Sequence, residues 1–314
     1  MKNVLITGTN GFIGHSIVLT LVATGDYKVR AAIRKTSATL PQSVEVYENL
    51  DISEKIDWTR ALENIDIVIH CAARVHVMRD KSKDPIMDFR KVNTEGTLNL
   101  ARHAASSGVK RFIFLSSLGV NGAETSNNPF KADDIPQPYS PYTLSKMEAE
   151  FGLLEISQTT KMSVVIVRPP LVYGTKAPGN FGLLMRIVKK RIPLPLGAVK
   201  NKRSFVFIDN LVDMIICCLS HPNATNQVFL VSDDEDLSTT ILLKKMAMAF
   251  NKSTLLLPIP KFILYVAARA IGKSKVAQQL LGSLQIDMEK TKSLLEWKPP
   301  FSVEEALRKI AEQH

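Results

Sequence analysis

A short apolar run at residues 3–7 breaks at Gly8-Thr9-Asn10-Gly11-Phe12-Ile13-Gly14, after which 16–23 has helical character. The order is strand, glycine turn, helix. Further short strands read at 29–33, 44–47, 65–71 and 111–115, with helical segments between most of them, as at 92–106. Another helical segment, 147–156, follows the fifth strand. Strands alternating with helices predict an α/β fold built on a doubly wound parallel sheet.

Residues 163–168 read as one more buried strand. After Pro169-Pro170 the composition shifts to prolines, glycines and basic residues as far as Arg203, which places a domain boundary there. Residues 210–219 read as a helix returning to the first domain, while 228–231 and 237–250 open a smaller C-terminal unit. The expected division is 1–171 with 210–227 for the sheet domain, and 172–209 with 228–314 for a discontinuous substrate domain.

A chain of 314 residues suits one large or two unequal domains. Its 45% hydrophobic and 22% charged residues are those of a soluble globular protein, with no repeat or low-complexity tract. The net charge of +10 suits an anionic ligand such as a nucleotide diphosphate. The basic residues are scattered and form no tail or aromatic-studded stripe, so nucleic acid is not expected as a partner. Three cysteines, Cys71, Cys217 and Cys218, cannot make a disulfide framework, and a reducing compartment fits best.

Glycines at 8, 11 and 14 interrupt the apolar start, and no small-residue cleavage pattern follows, so 1–25 is not read as a signal peptide. The apolar stretch 255–271 contains Pro258, Pro260, Lys261 and Arg269, too short and too broken for an integral membrane segment. It reads as a buried or interfacial helix. A cytoplasmic protein with at most peripheral membrane contact is expected.

The glycine loop has the context that a dinucleotide site of Rossmann type requires: Gly8 for the tight turn, Gly11 for approach of a pyrophosphate, Gly14 for close helix packing. Where an acid would bind a ribose 2′-hydroxyl, the chain has Arg34 and Lys35, so NADP(H) is favoured and NAD(H) remains open, as does an Arg34 that merely faces solvent. Asp51-Ile52 is placed to border the adenine, and Ala72-Ala73 the ribose and pyrophosphate. His70 and His76 flank that run without further ligands at metal spacing, and no metal is expected. Downstream, Tyr142 and Lys146 share a helix face. A nearby ammonium can bring a phenol, which titrates near pH ~10, toward the range of a working base. Ser117 upstream completes the set.

These residues resemble the extended short-chain dehydrogenase/reductase family, in particular its nucleotide-sugar epimerases, dehydratases and ketoreductases. The resemblance rests on Gly8/Gly11/Gly14, Asp51-Ile52, His70-Cys71-Ala72-Ala73, Val92-Asn93-Thr94-Glu95-Gly96-Thr97, Leu115-Ser116-Ser117, Tyr142 to Lys146 and Arg168-Pro169-Pro170-Leu171-Val172-Tyr173-Gly174. It implies that Ser117 bonds the sugar oxygen at carbon 4, Tyr142 moves its proton, and Lys146 binds the nicotinamide ribose and tunes Tyr142. It implies cofactor contacts from Gly8, Asn10, Gly11, Phe12, Ile13, Gly14, Ala72, Ala73 and Pro169, with Asn93 supporting the site through the backbone. Arg203 falls where an arginine meets the nucleotide-sugar diphosphate, Asn180-Phe181 where the nucleotide end is held, and His76 beside the substrate. Homodimerisation through 93–107 and 142–156 is implied as well.

Departures narrow the reading. Sugar dehydratases carry an Asp-Glu pair after the site serine or threonine, and here those positions are Leu118 and Gly119, so water elimination is excluded. Leu171 replaces an Asn found in many epimerases, and no arginine precedes Asp287 in 280–286. Ala73-Arg74-Val75-His76-Val77-Met78 and Leu194-Pro195-Leu196-Gly197 resemble proteins of bacterial surface-polysaccharide (lipopolysaccharide O-antigen) loci, either UDP-hexose 4-epimerases or 4-ketoreductases forming UDP-N-acetylquinovosamine. Both move a hydride at carbon 4 of a UDP-sugar. Arg34 tilts the expectation to the 4-ketoreductase with exchangeable NADPH. The 4-epimerase with retained NAD is the alternative, followed by a reductase of a small carbonyl compound and a non-catalytic NADP(H) sensor.

Overall fold

A computed structural model describes residues 1–35, 40–75 and 84–313. Seven strands, all pairs parallel, form one sheet in the order β3-β2-β1-β4-β5-β6-β9. They are β1 (Lys2–Thr7), β2 (Tyr27–Ala32), β3 (Glu45–Tyr47), β4 (Ile67–His70), β5 (Arg111–Leu115), β6 (Ser163–Arg168) and β9 (Gln227–Leu230). A second parallel pair joins β7 (Leu171–Tyr173) to β8 (Phe205–Phe207). The helices are α1 (Phe12–Thr24), α2 (Pro85–Phe89), α3 (Thr97–Ser106), α4 (Pro141–Thr159), α5 (Asn180–Lys189), α6 (Ile208–Cys218), α7 (Thr239–Ala249), α8 (Lys261–Ala270), α9 (Ser274–Leu281), α10 (Glu289–Leu295) and α11 (Val303–Glu312).

Central strands are buried on both faces, which is why they read as apolar runs without alternation. Val4, Ile6, Ile69 and Val165 pack with Ile17 and Leu21 of α1 and Leu211 of α6. Leu5, Val68, Phe112 and Val164 pack on the other side with Leu100 and Ala104 of α3 and Ala149 and Leu153 of α4. Strand order reverses between β1 and β4, and ligands of doubly wound sheets bind at the carboxyl ends of strands around such a point. Gly8 follows β1, Arg34 lies just past β2, Asp51 past β3, Ala72 past β4, Ser117 past β5 and Pro169 past β6. Chain topology alone therefore brings the candidate residues to one edge.

The single helix expected at 92–106 is instead α2, a π-helical turn (Arg90–Gly96) and α3. Tertiary contacts hold the widened turn: Thr94 Oγ1 donates to the Ser145 carbonyl at 2.9 Å, and Asn93 Nδ2 to Ser145 Oγ at 3.0 Å. Helix α4 starts before the expected 147, because Ser140 caps it. Ser140 Oγ accepts from the Thr143 amide, Thr143 Oγ1 accepts from the Ser140 amide, and a proline opens the first turn.

Residues 228–230 were expected to begin the C-terminal unit but belong to the large sheet as part of β9. Val228 sits opposite Ile166 of β6, and Phe229 and Leu230 are buried. Strand β7 and helix α5 lie in the proline- and glycine-rich stretch where no element was anticipated, and β8 follows directly after it.

Helix α4 is locked to the sheet by a buried ion pair. Glu150 and Arg168 are 1% and 4% exposed. Arg168 Nε donates to both Glu150 oxygens at 3.0 and 3.1 Å and Nη2 to Oε2 at 2.5 Å, while Nη1 reaches Asn121 Oδ1 at 3.0 Å and the Ala132 carbonyl at 3.3 Å. Ser116 Oγ donates to Glu150 Oε1 as well. Both charges are thus fully hydrogen-bonded, the condition under which a buried pair is tolerated. Removing one partner strands the other, so Arg168→Ala is expected to lower the free energy of unfolding by about 3–5 kcal/mol. Breaking the exposed Lys110–Asp66 pair with Lys110→Ala should change it by less than about 1 kcal/mol. Urea unfolding of the two variants checks the contrast, and equal losses would deny the pair its structural role.

Candidate functional site

The glycine loop closes on itself before α1 begins. Gly8 has φ +73°, and a side chain there would meet the Ala72 backbone at 2.7 Å; one at Gly14 would meet the Gly8 carbonyl at 2.3 Å. The Gly11 amide donates to the Gly8 carbonyl at 2.9 Å, and Gly11 caps α1 without a side-chain bond, leaving the helix N-terminus facing the sheet edge. Asn10 is exposed and reaches the Lys35 carbonyl at 3.4 Å. Phe12 and Ile13 are partly buried against the core.

Around this cradle, Arg34 lies 4.0 Å from Asp51, both side chains mostly exposed. The Asp51 carboxylate also accepts from the Ile52 amide at 2.9 Å, and Ile52 is buried under Gly96. Ala72 donates its amide to Thr7 Oγ1 at 3.2 Å, and Ala73 follows it along the rim. Asn93 is 1% exposed, and its amide group is spent on the Arg74 amide at 2.8 Å, the Arg74 carbonyl at 3.0 Å and Ser145. It holds the rim segment to α4. Pro169 is buried, its carbonyl accepting from the Leu118 amide at 2.9 Å.

Ser117 and Tyr142 face each other closely enough that the serine hydroxyl pulls the phenol's pKa down. Ser117 Oγ also accepts from the Gly119 amide at 3.1 Å, which fixes the serine at the start of a 3-10 turn. Burial, with Tyr139 adding to it, pushes the Tyr142 phenol up to about 12, against the pull of Ser117. Lys146 is 1% exposed with no hydrogen-bond partner for its ammonium, which lies 4.1 Å from the centre of the Phe114 ring. Burial lowers its pKa to about 8, against the opposing pull of Cys71 and Glu150. The Lys146 ammonium makes no hydrogen bond to Tyr142 in the chain without cofactor, and the group that lowers the phenol's pKa is Ser117.

An orphaned buried ammonium beside a glycine cradle fits a nicotinamide dinucleotide. Thr9 Oγ1, within the loop, is buried without a partner too. Next to Lys146, His70 is fully buried between Thr7 Oγ1 at 2.7 Å and Thr97 Oγ1 at 2.9 Å, and burial lowers it to about 3, so it stays neutral. Burial raises the Cys71 thiol to about 12, which makes it inert as a nucleophile.

Farther along the cleft, Arg203 is 8% exposed, with Nη1 donating to the Gly282 carbonyl at 3.1 Å. Burial lowers its pKa, opposed by Glu124, Tyr139 and Tyr265. Tyr139 acts on both Arg203 and Tyr142 and was missed in the sequence; the signal was a second tyrosine three residues before Tyr142. Phe181 requires correction: its ring is 2% exposed and packs 4.9 Å from the centre of the Tyr173 ring, so it is a core side chain and not a wall for a nucleotide. The Asn180 side chain and all of His76 lie outside the described residues. At the dehydratase positions Leu118 is buried, and a side chain on Gly119 would come within 2.5 Å of Thr143 Cγ2.

Lys146 charges at a penalty in the folded cofactor-free chain. Its folded pKa is depressed from 10.5 to about 8, so the lost stability is fully present below pH 8 and is regained as pH rises toward 10.5. Lys146→Met is therefore expected to stabilise the cofactor-free protein at pH 7 by on the order of 3 kcal/mol, with the gap to the unsubstituted chain closing above pH 10. Urea unfolding at the two pH values reads this; a destabilised variant at pH 7 would contradict it.

Residues 4–232 match the model of the NAD dependent epimerase/dehydratase family. The UDP-glucose 4-epimerase of Vibrio cholerae is 45% identical over 313 residues, covering 99% of this chain and 95% of that protein. Among solved structures, UDP-N-acetylglucosamine 4-epimerase from Bacillus cereus aligns with a TM-score of 0.82 at 20% identity, covering 100% of this chain and 99% of that one. UDP-glucose 4-epimerase from Thermotoga maritima, solved with UDP-glucose, aligns with a TM-score of 0.77 at 24% identity, covering 99% and 97%. With most of the parallel sheet inside the matched residues, the chain belongs to the NAD dependent epimerase/dehydratase family.

Proposed function

We propose that the protein is a 4-epimerase of a UDP-hexose, either UDP-glucose or UDP-N-acetylglucosamine, working with a retained nicotinamide dinucleotide. The observation that carries the choice of epimerase over ketoreductase is the 45% identity across 99% of the chain to an enzyme described as UDP-glucose 4-epimerase. The juxtaposed Ser117 and Tyr142 support proton transfer at the carbon 4 hydroxyl. The contact at Gly119 supports the exclusion of dehydration, because a glutamate there has no room.

When bound, the cofactor supplies a reversible two-electron acceptor. The chain's own groups do the rest. Ser117 Oγ would hold the carbon 4 oxygen and the Tyr142 phenolate would take the hydroxyl proton, the carbon 4 hydrogen leaving as hydride to the two-electron acceptor. A phenol near 12 is a poor base at neutrality, so cationic charge must be added beside it, and Lys146, still largely protonated at pH 7 with a pKa near 8, is the nearby source. The glycine loop and the α1 N-terminus cradle a pyrophosphate, and Arg203 stands where a guanidinium pairs with the sugar diphosphate. The 4-keto sugar then presents its other face, and Tyr142 returns the proton. A homodimer through α3 and α4 fits the exposed Phe151 on α4.

One observation favours the ketoreductase: Arg34, mostly exposed and only loosely paired at 4.0 Å, is available to a 2′-phosphate. Denaturing the purified protein and identifying the released cofactor separates the readings. Stoichiometric cofactor together with UDP-glucose to UDP-galactose or UDP-N-acetylglucosamine to UDP-N-acetylgalactosamine interconversion, without added nicotinamide, is expected. Empty protein that oxidises NADPH in step with a UDP-4-keto sugar would replace the epimerase by the reductase.

Tyr142→Phe is expected to lower kcat by about two to four orders of magnitude with cofactor affinity within a few fold. Retained turnover in steady-state assays would remove the proposed role. Arg34→Asp should weaken NADP(H) relative to NAD(H) by at least about tenfold in titration, given that charge-assisted phosphate contacts are the strong ones. An unchanged ratio would leave Arg34 as a solvent-facing charge.

A further inference from the structure

The apolar stretch at 255–271 is neither buried nor a membrane span. No residue of α8 is buried, and no helix among the described residues is long and apolar enough to cross a membrane. Leu264, Tyr265 and Ala268 turn one stripe of α8 to the core. The opposite stripe is also apolar and open to solvent: Phe262 is 68% exposed, Val266 67% and Ile271, just past the helix, 72%. An ordinary surface helix presents polar residues there.

The exposed surface continues onto a second segment. The Leu194 amide donates to the Leu255 carbonyl at 3.0 Å and the Leu257 amide to the Leu194 carbonyl at 2.8 Å, which ties the segment after α5 to exposed Leu255 and Leu257. Ile192 is exposed beside them. Large apolar side chains exposed at this density mark a binding surface.

Its charge names the occupant. No Asp or Glu occurs from 156 to 208 or from 251 to 286, the two stretches that build this face. Exposed Lys190, Arg191, Lys252, Lys261, Arg269 and Lys273 rim it. Glu124 acts on Tyr265 from the side that α8 turns toward Arg203, away from the apolar stripe.

We infer that α8 and the 190–194 and 255–257 segments form a docking surface for an anionic lipid bilayer. Phe262, Val266 and Ile271 enter the boundary between headgroups and acyl chains to a depth of roughly 5–10 Å, and the basic rim meets lipid phosphates. Tyr265, on the core-facing stripe of the same helix, acts on Arg203, so α8 lies between the docking face and the Arg203 end of the cleft. The inference is independent of which sugar the enzyme takes.

The full chain is tested by sedimentation with vesicles of phosphatidylcholine containing one-third phosphatidylglycerol, and with phosphatidylcholine alone. Binding to the anionic vesicles is expected, at least about tenfold weaker on neutral vesicles and at about 0.5 M salt. Phe262→Glu/Val266→Glu should lose binding with circular dichroism and cofactor release unchanged. Lys190→Gln/Arg191→Gln should weaken it by roughly twenty-five-fold, at roughly fivefold per charge. Absence of binding to the anionic vesicles, or equal binding by the Phe262/Val266 variant, would overturn the assignment. So would a fall of the free protein from dimer to monomer in that variant, which would make a second copy the occupant.

Discussion

Everything in the cleft depends on how α4 is held. One helix presents Tyr142 and Lys146 toward the sheet edge and, a turn later, buries Glu150 against Arg168 at the end of β6. Ser116, hydrogen-bonded to the same carboxylate, immediately precedes Ser117. The ion pair therefore sets the distance between the two strand ends and the helix, and with it the meeting of the Ser117 hydroxyl and the Tyr142 phenol. A pair this buried contributes little net stability over an apolar replacement, and its value here is geometric.

The same burial that fixes the geometry disturbs the charges. Lys146 has no acceptor, Tyr142 is driven away from ionisation, and His70 is held neutral between two threonines. His70 is satisfied on both ring nitrogens, so the unmet demand in the cofactor-free chain is the Lys146 ammonium, whose charge has neither water nor an acceptor.

What was legible in the sequence was whatever chemistry is local in the chain. The glycine spacing between β1 and α1 and the Tyr142/Lys146 pair on one helix need only a few contiguous residues, and the parallel sheet follows from the alternation of short apolar strands with helices. Features set by distant contacts were not legible. The π-helical turn exists because Asn93 and Thr94 answer Ser145, fifty residues away, and β9 joins the sheet only because β6 offers it an edge. Phe181 looked like a ligand contact because the motif gives its position but not the Tyr173 ring that buries it. Tyr139 carries no motif, and its place between Arg203 and Tyr142 appears only in three dimensions.

The close approach of Gly119 to Thr143 also limits where this chain can go by descent. An acid at 119 would be the first step toward eliminating water, yet it collides with the Thr143 methyl group unless that residue shrinks beforehand. Thr143 is the reciprocal half of the Ser140 cap, and loss of such a cap costs about 1 kcal/mol at the root of α4. The order of mutational steps is therefore forced, with a weakened helix preceding any new chemistry. A lineage at this position crosses a shallow fitness valley before residue 119 can carry an acid.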